Sequence, residues 1–482
     1  MTDETREYCT QLVRELIDGI DAGDFSREII PDRYRWEHML ALLLLKDELD
    51  GGVDLYRELF GLVTHAGENC LRTKARNGER IKIAFQTYSA AQWPAEEVYR
   101  RFEKMPNVDV QVVVSPLADR DANSREDTYR QTSKWFHENS YNVVDGMNIA
   151  KNTFGDWLFL GGYPDVLYQV SSWYTSLPRV QWFIQLPLRC LIAYIPYGFD
   201  VANTADGSYA TKYVFDKDIM NLMWRVYCDS LSMREGYEKY QLLKGANVRF
   251  TGYAKMDYFY KEHTFDSNAM NALWKIPSGE KTGQMKKIIV APHYTVLPEG
   301  GLCYSTFQKN MWFWLYLLKK YEDEVFFLFK PHPNLRRASV GARLFKDFEG
   351  YDNYIQAWND SPNAVVVQEG SYLDYFETSD AMIMDSVSFL AEYLYTGKPM
   401  LFLTRPEQHF LQSGRALADV YYKASGEDYV AIEQFIQDVV LDGKDTMVKD
   451  RKRLFEEEYD YYKINGQLAS DFIVNEVKEL IS

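Results

Sequence analysis

An alternation that runs twice along this chain constrains its fold more than any other feature. From Arg80, short apolar runs of strand character alternate with helical segments: strands at 81–85, 108–114, 141–144, 166–170, 224–228 and 248–253, with a helix at 94–105. The pattern restarts at 287–292 and continues through 325–329, 364–368, 381–384 and 399–403, with helical segments at 311–321, 343–348, 372–378 and 389–395. Strands that alternate with helices form βα units, so the fold class is α/β with mostly parallel, doubly wound sheets. At 482 residues the chain is too long for one ordinary domain. The expected layout is an N-terminal helical extension (1–75), an N-terminal Rossmann-like domain (76–262), a linker (263–285), a C-terminal Rossmann-like domain (286–442) and closing C-terminal helices (443–482). Two such domains imply a cleft between them. The extension rests on apolar residues at helical spacing, such as Leu12, Val13, Leu16 and Ile20, and on the runs 39–45 and 55–63. A membrane-surface helix is the alternative there, although the segment is not notably basic. The linker rests on polar composition with Ser278, Gly279 and Gly283.

Charge and cysteine content narrow the function. Lys plus Arg is 54 and Asp plus Glu is 70, a net charge of −16, which argues against nucleic-acid binding. A local basic cluster can still hold an anionic substrate, and Lys330, His332, Arg336, Arg337, Lys398 and Arg405 are the candidates. The five cysteines (Cys9, Cys70, Cys190, Cys228, Cys303) are scattered and form no CxxC pair, so neither a disulfide framework nor a metal site is expected. The N-terminus lacks the basic and apolar regions of a signal peptide, and no apolar run approaches the ~20 residues of a spanning helix. A cytoplasmic protein is expected, with membrane contact at most peripheral, at the inner face.

The chemistry-bearing residues sit at strand ends. The run 326–329 stops abruptly in Lys330-Pro331-His332-Pro333, where two prolines prevent a helix and stiffen the loop. The run 381–384 leads into Asp385-Ser386-Val387-Ser388, which opens a helix with an acid and two hydroxyls. Open α/β sheets bind ligands beyond the carboxyl ends of their strands, and these groups suit a phosphate or diphosphate. Asp385 also reads as an ordinary N-cap. Glu392 follows two helical turns later and can face a ribose hydroxyl. His293, in Ala291-Pro292-His293, can hydrogen-bond a phosphate or act as acid or base. In the first domain, Tyr197, Gly198 and Asp200 follow a long apolar stretch, and Lys255 and Asp257 follow a strand at Gly252. The tyrosines, phenylalanines and tryptophans elsewhere read as packing rather than as a sugar platform. There is no GxGxxG, Walker A, HExxH or GxSxG motif, so no NAD-type cofactor, P-loop or zincin chemistry is expected.

These residues, in this order, resemble the CDP-glycerol glycerophosphotransferase family of teichoic-acid and capsule synthesis. The resemblance rests on Gly252 to Asp257, Ala291-Pro292, the KPHP loop, Ser379-Asp380 through Ser388, Glu392, Lys398-Pro399-Met400 and the tail 465–470, and covers roughly residues 80–480. It implies a GT-B fold, with the first domain taking the acceptor and the second the nucleotide donor. It further implies a transferase that moves a polyol phosphate from a CDP-polyol to a glycan or polyol-phosphate acceptor, which can be lipid-linked, without a cofactor. By the same resemblance His332, Ser386 and Ser388 contact the donor phosphates, with Lys330, Asp385, Glu392 and Arg336 around them. The family usually carries Trp-His-Gly in its first domain, and its histidine is the proposed base. This chain has Pro196-Tyr197-Gly198 there, which leaves Asp200 or His293 for that role and Tyr197, Gly198, Lys255 and Asp257 for the acceptor side. Two alternatives stay open at this point: a GT-B glycosyltransferase that uses a sugar nucleotide, and a non-catalytic GT-B module that binds a glycan.

Overall fold

A computed structural model describes the chain except residues 26–29, 277–284, 300 and 369–370. The chain forms two compact units. The first comprises Met1–Gly198, Thr211–Asp257 and Tyr461–Ser482; the second comprises Phe199–Ala210 and Tyr258–Asp460.

The first unit is built on a seven-stranded sheet: β1 (Ile81–Thr87), β2 (Val108–Val114), β3 (Val143–Asp145), β4 (Val166–Gln169), β5 (Leu191–Tyr194), β6 (Arg225–Cys228) and β7 (Val248–Phe250). The spatial order is β3-β2-β1-β4-β5-β6-β7, and every pairing is parallel. Within the apolar stretch 181–196 only Leu191–Tyr194 is strand; short 3₁₀ turns, Arg179–Gln181 and Phe183–Gln185, precede it. The three N-terminal helices, Asp3–Asp21, Trp36–Leu45 and Gly52–Arg76, belong to this unit. The indole of Trp36 donates to the Cys190 carbonyl at 2.9 Å, and the Tyr56 hydroxyl donates to the Asn221 carbonyl at 2.6 Å. Six of the seven residues in the apolar run 39–45 are held in or against protein, Leu44 being the exposed one, so the run serves packing. Among the described residues no helix is long and apolar enough to cross a membrane.

The second unit has six strands: β8 (Lys286–Ala291), β9 (Val325–Phe329), β10 (Ala364–Val366), β11 (Ala381–Met384), β12 (Met400–Thr404) and β13 (Tyr422–Ser425), in the order β10-β9-β8-β11-β12-β13, all parallel. Every residue of β9 is buried, as expected for a parallel strand covered on both faces. Phe329, its final residue, stacks on Trp358 at 4.5 Å, which fixes the point where the KPHP loop begins. Both sheets follow the Rossmann order 3-2-1-4-5-6, the first with a seventh strand added. Their switch points therefore lie between β1 and β4 and between β8 and β11.

Two stretches differ from their sequence reading. Residues 263–285 contain a helix, Ser267–Trp274, capped by the Asp266 carboxylate on the Ala269 N–H at 2.7 Å. Its Trp274 is fully buried, packs against Tyr375 and donates to the Thr378 hydroxyl at 2.8 Å. Polar composition masked this short amphipathic segment; residues 277–284 of the expected linker lie outside the described residues. The tail 443–482 divides, with 443–460 in the second unit and Tyr461–Ser482 in the first.

Candidate functional site

The loops after β8, β9 and β11 converge at the switch point of the second sheet. The backbone draws the first two together: the Lys330 N–H donates to the Val290 carbonyl at 2.9 Å and the His332 N–H to the Pro292 carbonyl at 3.2 Å. The rings of His293 and His332 lie 5.4 Å apart, and the Tyr294 ring lies 4.4 Å from His332.

Asp385 joins the β11 loop to this group. Its carboxylate is fully buried and accepts the His293 N–H at 2.6 Å, the Thr306 hydroxyl at 2.8 Å, the Thr306 N–H and the Ser305 hydroxyl. Burial nevertheless pushes its pKa up to about 6. The sequence reading placed Asp385 among the donor-phosphate ligands. In the structure its oxygens are committed to protein donors, so it positions the site and does not line it.

The hydrogen bonds also set the state of both imidazoles. The backbone N–H of Thr295 donates to His293 Nδ1 at 3.3 Å, and the Thr295 hydroxyl lies 2.8 Å from the same atom. The backbone N–H of Asn334 donates to His332 Nδ1 at 3.1 Å. A nitrogen that accepts from an N–H carries no proton, so the proton of each neutral ring lies on Nε2. Burial, with His332 as the second cause, brings His293 down to about 3; burial, with the Lys330 charge second, brings His332 down to about 4. Both rings are thus neutral at physiological pH, and neither Nε2–H has a hydrogen-bond partner among the described residues.

The Ser386–Ser388 turn adds further donors. Ser386 is buried and Ser388 exposed, and neither the hydroxyl nor the N–H of either residue has a partner among the described residues. The helix that opens here, Phe389–Glu392, tightens at once into a 3₁₀ turn over Tyr393–Thr396. Its dipole is correspondingly small, and any anion affinity comes from the individual N–H groups. Glu392 is buried and accepts the Tyr372 hydroxyl at 2.5 Å, while the Lys330 ammonium lies 5.5 Å over the Tyr372 ring.

The basic cluster read from sequence is not assembled here. Arg336 forms a two-point pair with Asp352, 2.7 Å at each contact, and lies over the Phe348 ring, so it is not among the converging groups. Arg337 is 4.0 Å from Glu299. Lys398 donates to the carbonyls of Phe376 and Glu377, and burial lowers its pKa to about 8. Arg405 donates to the Ser305 carbonyl at 2.7 Å and pairs with Glu407. Only Lys330 and His332 remain at the strand ends.

The expected acceptor-side residues are placed as follows. Asp257 is fully buried and accepts from the Tyr461 hydroxyl at 2.7 Å, the N–H groups of Ala469 and Ser470 at 3.0 and 2.9 Å, and the Ser470 hydroxyl. It caps the helix Ala469–Ile481, a structural duty in place of the expected acceptor contact. Asp200 lies in the segment 199–210, which belongs to the second unit rather than the first. There Asn203 donates to the His409 carbonyl and Leu411 to the Val201 carbonyl, both at 2.9 Å. The Tyr197 carbonyl accepts the Tyr253 hydroxyl at 2.8 Å. A Cβ at Gly198 would meet nothing within 4 Å, so no close approach requires glycine there. Lys255 is half-buried in the helical turn Ala254–Tyr260. Sequence reasoning missed Tyr294, Thr295, Thr306 and Tyr372; only Tyr294 and Thr295, one and two residues from His293, carried a local signal.

No family model matches the chain, and no curated protein does. Solved structures do. A point variant of the wall teichoic acid polymerase TagF aligns over 89% of this chain and 98% of its own, with TM-score 0.50 and 12% identity. The same polymerase soaked with CDPG aligns over 92% of this chain and 97% of its own, again with TM-score 0.50 and 12% identity. The fold is GT-B. At such low identity the GT-B likeness establishes architecture, and function has to be argued from the site. A UDP-GlcNAc 2-epimerase from Neisseria meningitidis also aligns, over 83% of this chain and all of its own, with TM-score 0.49 and 14% identity.

Proposed function

We propose that this chain is a transferase that moves a polyol phosphate from a CDP-polyol, CDP-glycerol first among them, to a hydroxyl of a glycan or polyol-phosphate acceptor in cell-wall or capsule polymer synthesis. One observation carries this reading. The Nε2–H groups of His293 and His332 and the hydroxyl and N–H groups of Ser386 and Ser388 have no partner among the described residues, and all lie on loops at the switch point of the second sheet, beside Lys330. A cluster of donors around one ammonium suits a diphosphate. The motif resemblance and the shared GT-B fold support the choice of a CDP-linked donor.

In this mechanism the acceptor oxygen attacks the distal phosphorus. The new oxygen–phosphorus bond forms as the bridging oxygen–phosphorus bond breaks, and CMP leaves with the electron pair. Lys330, the two imidazole N–H groups and the Ser386–Ser388 turn hold the diphosphate as charge builds on the leaving phosphate. Because both imidazoles carry their proton on Nε2, they act as donors, and His293 does not serve as the base. Phosphoryl transfer through a loose transition state asks little of a base. Asp200 is the proposed proton acceptor, with Tyr197, Gly198 and Lys255 as acceptor-side groups. The proposed setting is the cytoplasm, peripheral at the inner membrane face.

The test is product identity. Purified protein with CDP-glycerol and an acceptor is expected to release CMP, followed by ³¹P NMR. Release of a nucleoside diphosphate from a sugar nucleotide would replace this reading with a glycosyltransferase. Absence of any melting shift with CDP-glycerol, CDP-ribitol, CMP or UDP-GlcNAc would overturn it altogether.

A further inference from the structure

The loop after β12 and the segment 199–210, both in the second unit, border a cavity of about 220 Å³. Asn203 and Thr204 line it from the segment, and His409, Phe410 and Arg415 line it from the loop and the helix that follows, Gln412–Asp419. The walls are held in register by backbone bonds. Ala202 and Phe410 form an antiparallel bridge, flanked by the bonds from Asn203 to the His409 carbonyl and from Leu411 to the Val201 carbonyl. A Cβ at Gly414 would run into the Val201 carbonyl oxygen, so glycine lets the helix press on the segment and sets Arg415 beside it. The Gln408 amide donates to the carbonyls of Tyr304 and Leu403 at 2.8 and 3.0 Å, and the Phe410 ring packs on Tyr304 and Phe402, which braces the loop. The polar groups that line the cavity are chiefly donors. The Arg415 guanidinium and the His409 imidazole have no partner among the described residues. The Asn203 side-chain oxygen accepts the Thr204 N–H at 2.9 Å, which leaves its amide NH₂ as a donor. No carboxylate is among the described lining residues; that of Asp206, close by in sequence, accepts the Thr204 and Ser208 hydroxyls at 2.6 and 2.9 Å.

We infer that this cavity is a subsite for a small polyol phosphate, with Arg415, His409 and Asn203 on its phosphate. A guanidinium, an imidazole N–H and an amide NH₂ around a space that no described carboxylate lines favour an anion, and three separate donors can serve three oxygens of one phosphate. The volume limits what that phosphate can carry. At 220 Å³ the cavity holds about seven times the share of one water, room for a three-carbon polyol, whereas sites for larger ligands begin at about 300 Å³. The cavity lies beyond the carboxyl end of β12, the strand beside β11, and the helix Gln412–Asp419 packs against the helix Phe389–Glu392 that opens at Ser388. It thus neighbours the strand-end donors without including them. The segment that forms one wall also carries Asp200. Naming this ligand the acceptor terminus rests on the transferase reading above. It then makes the acceptor a polyol phosphate rather than an uncharged glycan.

Calorimetric titration of the full chain tests this with three probes: sn-glycerol 3-phosphate, inorganic phosphate and glycerol. The polyol phosphate is expected to bind about tenfold more tightly than inorganic phosphate and about a hundredfold more tightly than glycerol. Arg415→Gln should weaken sn-glycerol 3-phosphate binding about tenfold, and Arg415→Lys should recover part of that loss. Neither should move the melting temperature, because the guanidinium has no partner to lose among the described residues. Wild-type-like binding by Arg415→Gln, inorganic phosphate or glycerol binding as tightly as the polyol phosphate, or a loss that follows His332→Ala in place of Arg415→Gln would overturn the subsite. The melting shift with CDP-glycerol separates the two readings. If that shift persists without Arg415-dependent binding, the subsite alone fails; if Arg415-dependent binding persists without the shift, the transferase reading alone fails.

Discussion

The carboxylate of Asp385 accepts the backbone N–H of His293 across 2.6 Å, although the two residues are 92 positions apart. Through this bond, and those to Ser305 and Thr306, one buried acid at the end of β11 holds the loop after β8 in place. Asp385→Asn would turn an amide N–H toward backbone donors. It is expected to cost about 1–3 kcal/mol of stability, measured by urea unfolding, with donor binding reduced as well. Unchanged stability with lost binding would mean that Asp385 faces the ligand.

His332→Ala removes a neutral N–H donor at a fixed position. Turnover with CDP-glycerol is expected to fall by about 10²–10³, while the melting temperature stays close to wild type. Near-normal turnover in a folded variant would remove this loop from the site.

Ser386→Ala tests the turn without disturbing its packing, because the hydroxyl has no partner to lose among the described residues. Stability is expected to hold, and CDP-glycerol affinity to fall by about tenfold, the worth of one hydrogen bond to a charged group. Calorimetric titration gives the answer, and equal affinity would place the diphosphate elsewhere.

Acid sensitivity follows from His332. Its pKa is about 6.5 in an unfolded chain and is lowered to about 4 in the fold. A lowered value contributes stability that is fully present above about pH 6.5 and is lost as the pH falls through about 4. Asp385 has the opposite sign: its folded value of about 6 gives a contribution that is present below its unfolded value and lost as the pH rises through 6. His332→Gln should therefore flatten the acid limb between about pH 6.5 and 4, read from melting temperature against pH. Parallel curves for wild type and variant would contradict a neutral, buried imidazole.

Asp257→Ala should behave as a stability variant. The loss of the acceptor for Tyr461, Ala469 and Ser470 is expected to cost about 2–4 kcal/mol and to speed hydrogen exchange in the helix Ala469–Ile481. Reduced acceptor use at unchanged stability would restore Asp257 to the acceptor site.

The sequence and the structure agree where the signal is local. Lys330-Pro331-His332-Pro333 reads as a strand end because the apolar run and the prolines are neighbours, and it lies at one. The alternation of strands and helices likewise appears as two Rossmann-ordered sheets. What stayed hidden depends on partners distant in sequence. Nothing near Asp385 announces the Thr306 N–H, 79 positions earlier, and nothing near Asp257 announces Ser470, 213 positions later. Arg336 looked like a phosphate ligand until Asp352 took it, and Asp200 looked like part of the first domain until the 199–210 segment was seen to pack with the second. Arg415 could not be told from any surface arginine, since the cavity it lines is a property of the fold and not of composition.

The division of the chain between its units has a consequence for biosynthesis. The second unit is, apart from one short segment, an insertion within the first, because Tyr461–Ser482 returns to the first unit after Tyr258–Asp460 has been made. On the ribosome the order of completion is therefore reversed. The second unit has all its residues while the first still waits for the helix that Asp257 caps, and the apolar surface that this helix covers stays open to chaperones or to misassociation until it emerges.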